Sequence, residues 1–136
     1  MSFSLEEVAF LSANAGRIAE VAPGIELSKR TVFADRAALE REFGGYARAV
    51  SVLIAAQRGA AGKFPPHWLT DADAAQQATP RAVADVRAAK VAAAGARVVH
   101  DVTCSVGSEA PAFLDASVAW LGSDLDRSRL AMARHN

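Results

Sequence analysis

The most constraining stretch of the chain is Val98 to Phe113, "VVHDVTCSVGSEAPAF". A short β-branched run ends on an acid, passes through a tight turn with a glycine and enters an alanine-rich segment of helical character. A second apolar run, "VAWLG", follows at once, and the chain continues through Asp124 into "DRSRLAMARHN". Two strands separated by a helix cannot pair as a hairpin, so this order predicts a βαβ unit, a parallel sheet and a right-handed crossover. The predicted class is α/β, with a helical amino-terminal region leading into the first βαβ unit of a Rossmann-like sheet.

Upstream the pattern is helical. In "SLEEVAFLSANAGRIAEVAPG", Ser4 stands three residues before Glu7, the spacing of a capping box, and Pro23-Gly24 closes the segment. Leu5, Val8, Ala9, Ala15, Ile18 and Ala19 fall on one stripe, which predicts a single amphipathic helix. Asp35 is placed to cap a second helix, along which Leu39, Phe43, Tyr46, Val50, Leu53 and Ile54 keep three- and four-residue spacing, with a break at Gly44-Gly45. "RGAAGKFPPHWLTD" reads as a linker, because Pro65-Pro66 cannot continue a helix. The predicted organisation is therefore a helical region over 1–60 and a ligand-binding portion over 61–136. Within the latter, "DADAAQQA" forms a short polar helix, Thr79 stands at the N-cap and Pro80 at the first position of a helix carrying Val83, Val86 and Ala89, and Gly95 ends it.

Composition narrows the classes. The 136 residues are 51% apolar, enough for one packed domain. No apolar run approaches the roughly 20 residues of a spanning helix, so membrane insertion is not expected. Cys104 is the only cysteine and cannot form an internal disulfide, which fits a reducing, cytoplasmic setting. No metal site is expected, since neither a second thiol nor clustered histidines accompany it. Charge is balanced overall but uneven, at −3 over residues 1–27, +5 over 28–100 and −2 over 101–136.

The chemistry follows from the strand ends. A turn between a parallel strand and a helix points free amide groups to the carboxyl edge of the sheet, where ligands of open α/β sheets bind. Gly107 is expected to let the backbone approach such a ligand. Asp101 can accept from loop amides or a ligand ammonium. Asp124, 23 residues later, is spaced to accept ribose hydroxyls, although Asp124 and Asp126 would also serve as caps of the last helix. "TCSVGS" lacks the G-x-G-x-x-G of pyrophosphate binding, which disfavours NAD. His100 reads as a structural residue inside a strand. His67 and Trp68 are open to base stacking or to packing over the junction.

These motifs resemble class I S-adenosylmethionine-dependent methyltransferases: "VVHDVTCSVGSEAPAF" their first motif, and "WLGSDLDRSRLAMARHN" their second. The nearest variant is the bacterial group carrying a THUMP-like domain and related to trimethylguanosine synthases. There a "T-C-S-x-G" turn follows a "Q-x-T-P-x-x-V-A" segment, as Gln77 to Ala84 stands here. The resemblance, over roughly residues 60–136, implies S-adenosylmethionine as cofactor, with Asp101, Thr103, Cys104, Ser105 and Gly107 along its methionine end. It further implies Asp124 on the ribose, Leu125 against the adenine, Thr79 near the pocket, and RNA as acceptor.

In the same family the acceptor motif follows a later strand, and this sequence stops after the second motif. The expectation is an amino-terminal fragment holding about the first third of the sheet, inactive alone, that leans on its helices, self-associates or binds cofactor weakly. The reading from another class is a helical interaction module, in which residues 1–60 bind protein or RNA and the βαβ unit is scaffold.

Overall fold

A computed structural model of the chain describes residues 3–136. The amino-terminal half consists of α1 (Leu5–Ala13), α2 (Ala15–Val21), α3 (Val32–Phe43) and α4 (Ala47–Gly59). After the Pro-rich segment come α5 (Ala72–Gln77), α6 (Arg81–Ala93), β1 (Val98–Asp101), α7 (Ala110–Asp115), β2 (Ala119–Gly122) and α8 (Arg127–His135). The expected α/β arrangement is present: β1 and β2 form a parallel pair, with Val98 opposite Ala119 and Asp101 opposite Gly122.

Several local expectations need correction. The first helix is two helices, because the Asn14 side chain donates to the Phe10 carbonyl at 2.8 Å and the backbone turns at Asn14 between them. Ser4 and Glu7 do form the capping box. Of the predicted stripe, Val8 and Ile18 are buried, whereas Leu5, Ala9 and Ala19 face solvent; Leu11 takes the central place instead. Asp35 does not cap α3, which begins at Val32. Its buried carboxylate accepts from the Thr31 hydroxyl at 2.7 Å and from the Leu27 and Glu26 amides, pinning the preceding loop. Gly44, at φ +55°, ends α3 where the glycine pair predicts a break.

Two apolar clusters hold the fold. The larger is built from Leu11, Leu39, Leu53 and Ile54, and it also takes in Leu69, Val106 and Met132 from the other side of the Pro-rich segment. The smaller joins α6 and α7 to one face of the strands through Ala84, Ala88, Ala112, Phe113 and Val118, with Val99 and Trp120 against them. On α6, Ala84 and Ala88 face inward, and the predicted stripe of Val83, Val86 and Ala89 faces solvent instead. Small side chains let α6 approach the sheet unit closely, and that geometry outweighs valine hydrophobicity. α8 packs on α1, where the Ser12 hydroxyl meets His135 Nδ1 at 2.7 Å.

Candidate ligand site at the strand ends

The turn between β1 and α7 is stitched to the segment after β2 by backbone hydrogen bonds and by the Asp124 carboxylate. The Ser123 amide donates to the Asp101 carbonyl at 2.8 Å, and the Cys104 amide donates to the Ser123 carbonyl at 3.0 Å, extending the ladder beyond the strands. The Ser105 amide then donates to Asp124 Oδ2 at 2.9 Å, while Asp124 Oδ1 accepts from the Asp126 amide. Ser105 sits at φ +49°, and the Gly107 amide closes the turn on the Cys104 carbonyl at 2.8 Å. The two acids singled out from sequence therefore flank one opening at the carboxyl edge of the sheet.

That opening is a cavity of about 520 Å³, within the range of small-molecule sites. Asp101, Thr103, Cys104, Ser105 and Asp124 line it, as does Thr79. Thr79 is not the cap of α6, which starts at Arg81 with no side-chain cap; its hydroxyl donates to Glu109 Oε1 at 2.8 Å. Gly107 and Leu125 do not line the cavity. Gly107 is buried at φ +82°, and a Cβ there would meet Ala133 of α8 only at ordinary contact distance, 3.5 Å, so its glycine serves the turn. The Leu125 side chain is fully exposed. His100 faces outward and meets Ser123 Oγ at 2.9 Å. In the Pro-rich segment, Trp68 is buried and stacks on Phe64, while His67 remains exposed.

The cavity has its own electrostatic character. The Cys104 thiol is pushed up from its ordinary pKa, first by burial and then by the charges of Asp101 and Asp124. It is a protonated wall rather than a nucleophile at neutral pH. Asp101 accepts from the Thr103 amide through one oxygen, leaving the other available. The Ser105 hydroxyl is buried without a hydrogen-bond partner. Among the described residues no cluster of three or more potential metal-ligating side chains occurs.

Three charged cavity residues escape sequence reasoning. Glu109, 13% exposed, accepts from both Thr79 and Arg87, and Arg129 enters from α8. Glu109 meets Thr79 and Arg87 across 30 and 22 positions, and no local pattern in the sequence marks the pairing. A further clamp was also unforeseen. The Asn136 side chain donates to the Leu69 and Val106 carbonyls, each at 3.0 Å, and accepts from the Leu69 amide at 2.7 Å. It fastens the Pro-rich segment to the turn that builds the site.

Beneath that turn lies Trp120. A Cβ at Gly122 would overlap its ring and come to 2.9 Å from the Cys104 sulfur, so only glycine fits the end of β2. No helix among the described residues is long and apolar enough to cross a membrane.

Neither a family model nor a solved structure matches the chain. Two proteins of Mycobacterium tuberculosis do, one from strain CDC 1551 / Oshkosh and one from strain ATCC 25618 / H37Rv. Each is named an uncharacterized S-adenosylmethionine-dependent methyltransferase and is 52% identical to this chain over 69 residues. The match takes in 51% of this chain and 18% of each relative, so the chain spans under a fifth of the length of the curated relatives it matches. Over half of its own length, the chain is thus similar to proteins named S-adenosylmethionine-dependent methyltransferases.

Proposed function

We propose that the chain is the cofactor-binding portion of an S-adenosylmethionine-dependent methyltransferase. The observation that carries this reading is the convergence of Asp101 and Asp124, from the carboxyl ends of two parallel strands, on one cavity. The names of the two mycobacterial relatives support the same cofactor.

The donor set suits that ligand. Each Asp124 oxygen accepts one amide and keeps a lone pair for a ribose hydroxyl. Asp101 has an oxygen free for the ammonium of an amino acid. The orphaned Ser105 hydroxyl gains the partner it lacks once a polar ligand enters. When bound, the cofactor supplies a methyl group on a sulfonium. The chain's own residues then act by positioning, since the acids fix the two ends and the Cys104 wall keeps water from the apolar middle. Among the described cavity residues, none is needed as a base to hold the cofactor. RNA is the acceptor class we assign, supported by the resemblance and by the +5 charge of residues 28–100.

Calorimetric titration with S-adenosylmethionine and S-adenosylhomocysteine tests the cofactor reading. We expect binding by the parent chain and its loss in Asp124→Ala. A folded chain that binds neither would remove the reading and favour a helical interaction module. Filter binding with RNA tests the acceptor class, with affinity expected to fall steeply as salt rises.

A further inference from the structure

Arg129 is an unexpected residue for its place. It lies in the first turn of α8, where the helix dipole disfavours a cation. Its Nε is buried with no hydrogen-bond partner, 3.8 Å from Asp71 Oδ2 and 3.8 Å from Asp126 Oδ2. Asp71 is fully buried; its Oδ1 caps α5 through the Ala74 amide at 2.8 Å, and its Oδ2 is likewise without a hydrogen bond. A carboxylate so buried is tolerable only with a cation beside it. The N-cap aspartates of α5 and α8 thus hold one guanidinium between them from its Nε side.

Among the described residues no hydrogen bond engages the terminal nitrogens of Arg129, and the side chain, 21% exposed, lines the cavity. The other arginine of the cavity, Arg87, is already tied to Glu109. The geometry points to Arg129 as the group that binds an oxyanion of the ligand, with Asp71 as the residue that positions it. A planar fork with two free nitrogens matches two adjacent oxygens, as in a carboxylate or a phosphate. The carboxylate would come from the amino-acid end of the cofactor, a source that rests on the proposed function. The phosphate would come from the acceptor.

The experiment is calorimetric titration of the full chain and its Arg129→Gln, Arg129→Lys and Asp71→Asn variants with three probes. These are S-adenosylhomocysteine, 5′-methylthioadenosine, which keeps the nucleoside without the carboxylate, and inorganic phosphate. If the carboxylate is the anion, Arg129→Gln weakens S-adenosylhomocysteine by about tenfold or more and leaves methylthioadenosine unchanged. If it is phosphate, both nucleosides bind as before and phosphate binding disappears. Arg129→Lys, which keeps charge without the fork, should fall between the parent and Arg129→Gln, and it serves if the glutamine variant does not fold. Asp71→Asn still caps α5, and a purely structural role would leave its ratio between the two nucleosides unmoved; we expect that ratio, or the phosphate affinity, to fall. Variants that bind all three probes like the parent overturn the inference. A parent that binds phosphate through Arg129 but neither nucleoside removes the cofactor reading and keeps this one. A folded parent that binds none of the three removes both.

Discussion

In the helices of the amino-terminal half, the central apolar side chains vanish from solvent: Leu11, Leu39, Leu53 and Ile54 are at most 1% exposed, while Leu5, Val32 and Phe33 at the helix starts stay open. In the βαβ unit the balance is reversed, and Val98, Leu121 and Leu125 are each more than half exposed. One region closes its core, while the other presents one uncovered face of a two-stranded sheet whose strands are four residues long. A pair of strands that short is marginal alone. The ligand site nevertheless sits there, so its order has to be borrowed. Val106 and Met132 enter the larger core, and Asn136 bonds the turn to the Pro-rich segment. The contrast teaches that the site hangs from the helical core through α8 and the turn rather than resting on its own sheet.

Substitutions can break this comparison or sharpen it. Leu53→Ala empties the helical core and should cost about 2–5 kcal/mol in chemical denaturation, lowering ligand binding through unfolding. Gly122→Ala forces a methyl into Trp120 and Cys104 and should cost about 1–3 kcal/mol, with binding lost even where the chain remains folded. Asp126→Ala removes the cap of α8, about 1 kcal/mol in thermal melts at neutral pH. The Asp126 carboxyl is held below its ordinary value, chiefly by the Ser128 hydroxyl and then, against the cost of burial, by the Arg129 and Ser128 amides. Its contribution is therefore present above the ordinary carboxylate range and fades as pH falls through the lowered value. The difference between parent and variant should accordingly shrink in acid. Leu121→Ser, on the open face of the sheet, should change stability by less than about 0.5 kcal/mol. A cost comparable to that of Leu53→Ala would show that the exposed face is covered in solution.

What the sequence disclosed divides along the same line. Strand, turn, helix and strand are local features, so the parallel pair and the meeting of Asp101 and Asp124 at one opening could be read from spacing, whereas Thr103, Cys104 and Ser105 came from the family resemblance. Features that depend on distant neighbours could not. The valine spacing on α6 pointed the wrong way because close approach favoured Ala84 and Ala88. Asp35 resembled a cap, but a loop folded back on its carboxylate. Arg129 and Asp71 lie 58 positions apart, and no periodicity links them.

The most direct test of where the ligand binds is amide chemical-shift mapping of the labelled chain during titration with S-adenosylhomocysteine. A second cleft, between the amino-terminal helices and the Pro-rich segment and lined by Ile18, Ile54, Phe64 and His67, supplies an internal control. The account predicts shifts at Asp101, Thr103 to Ser105, Asp124 and Gln77 to Thr79, with that cleft silent. Shifts confined to the cleft, or none on a folded chain, would contradict it.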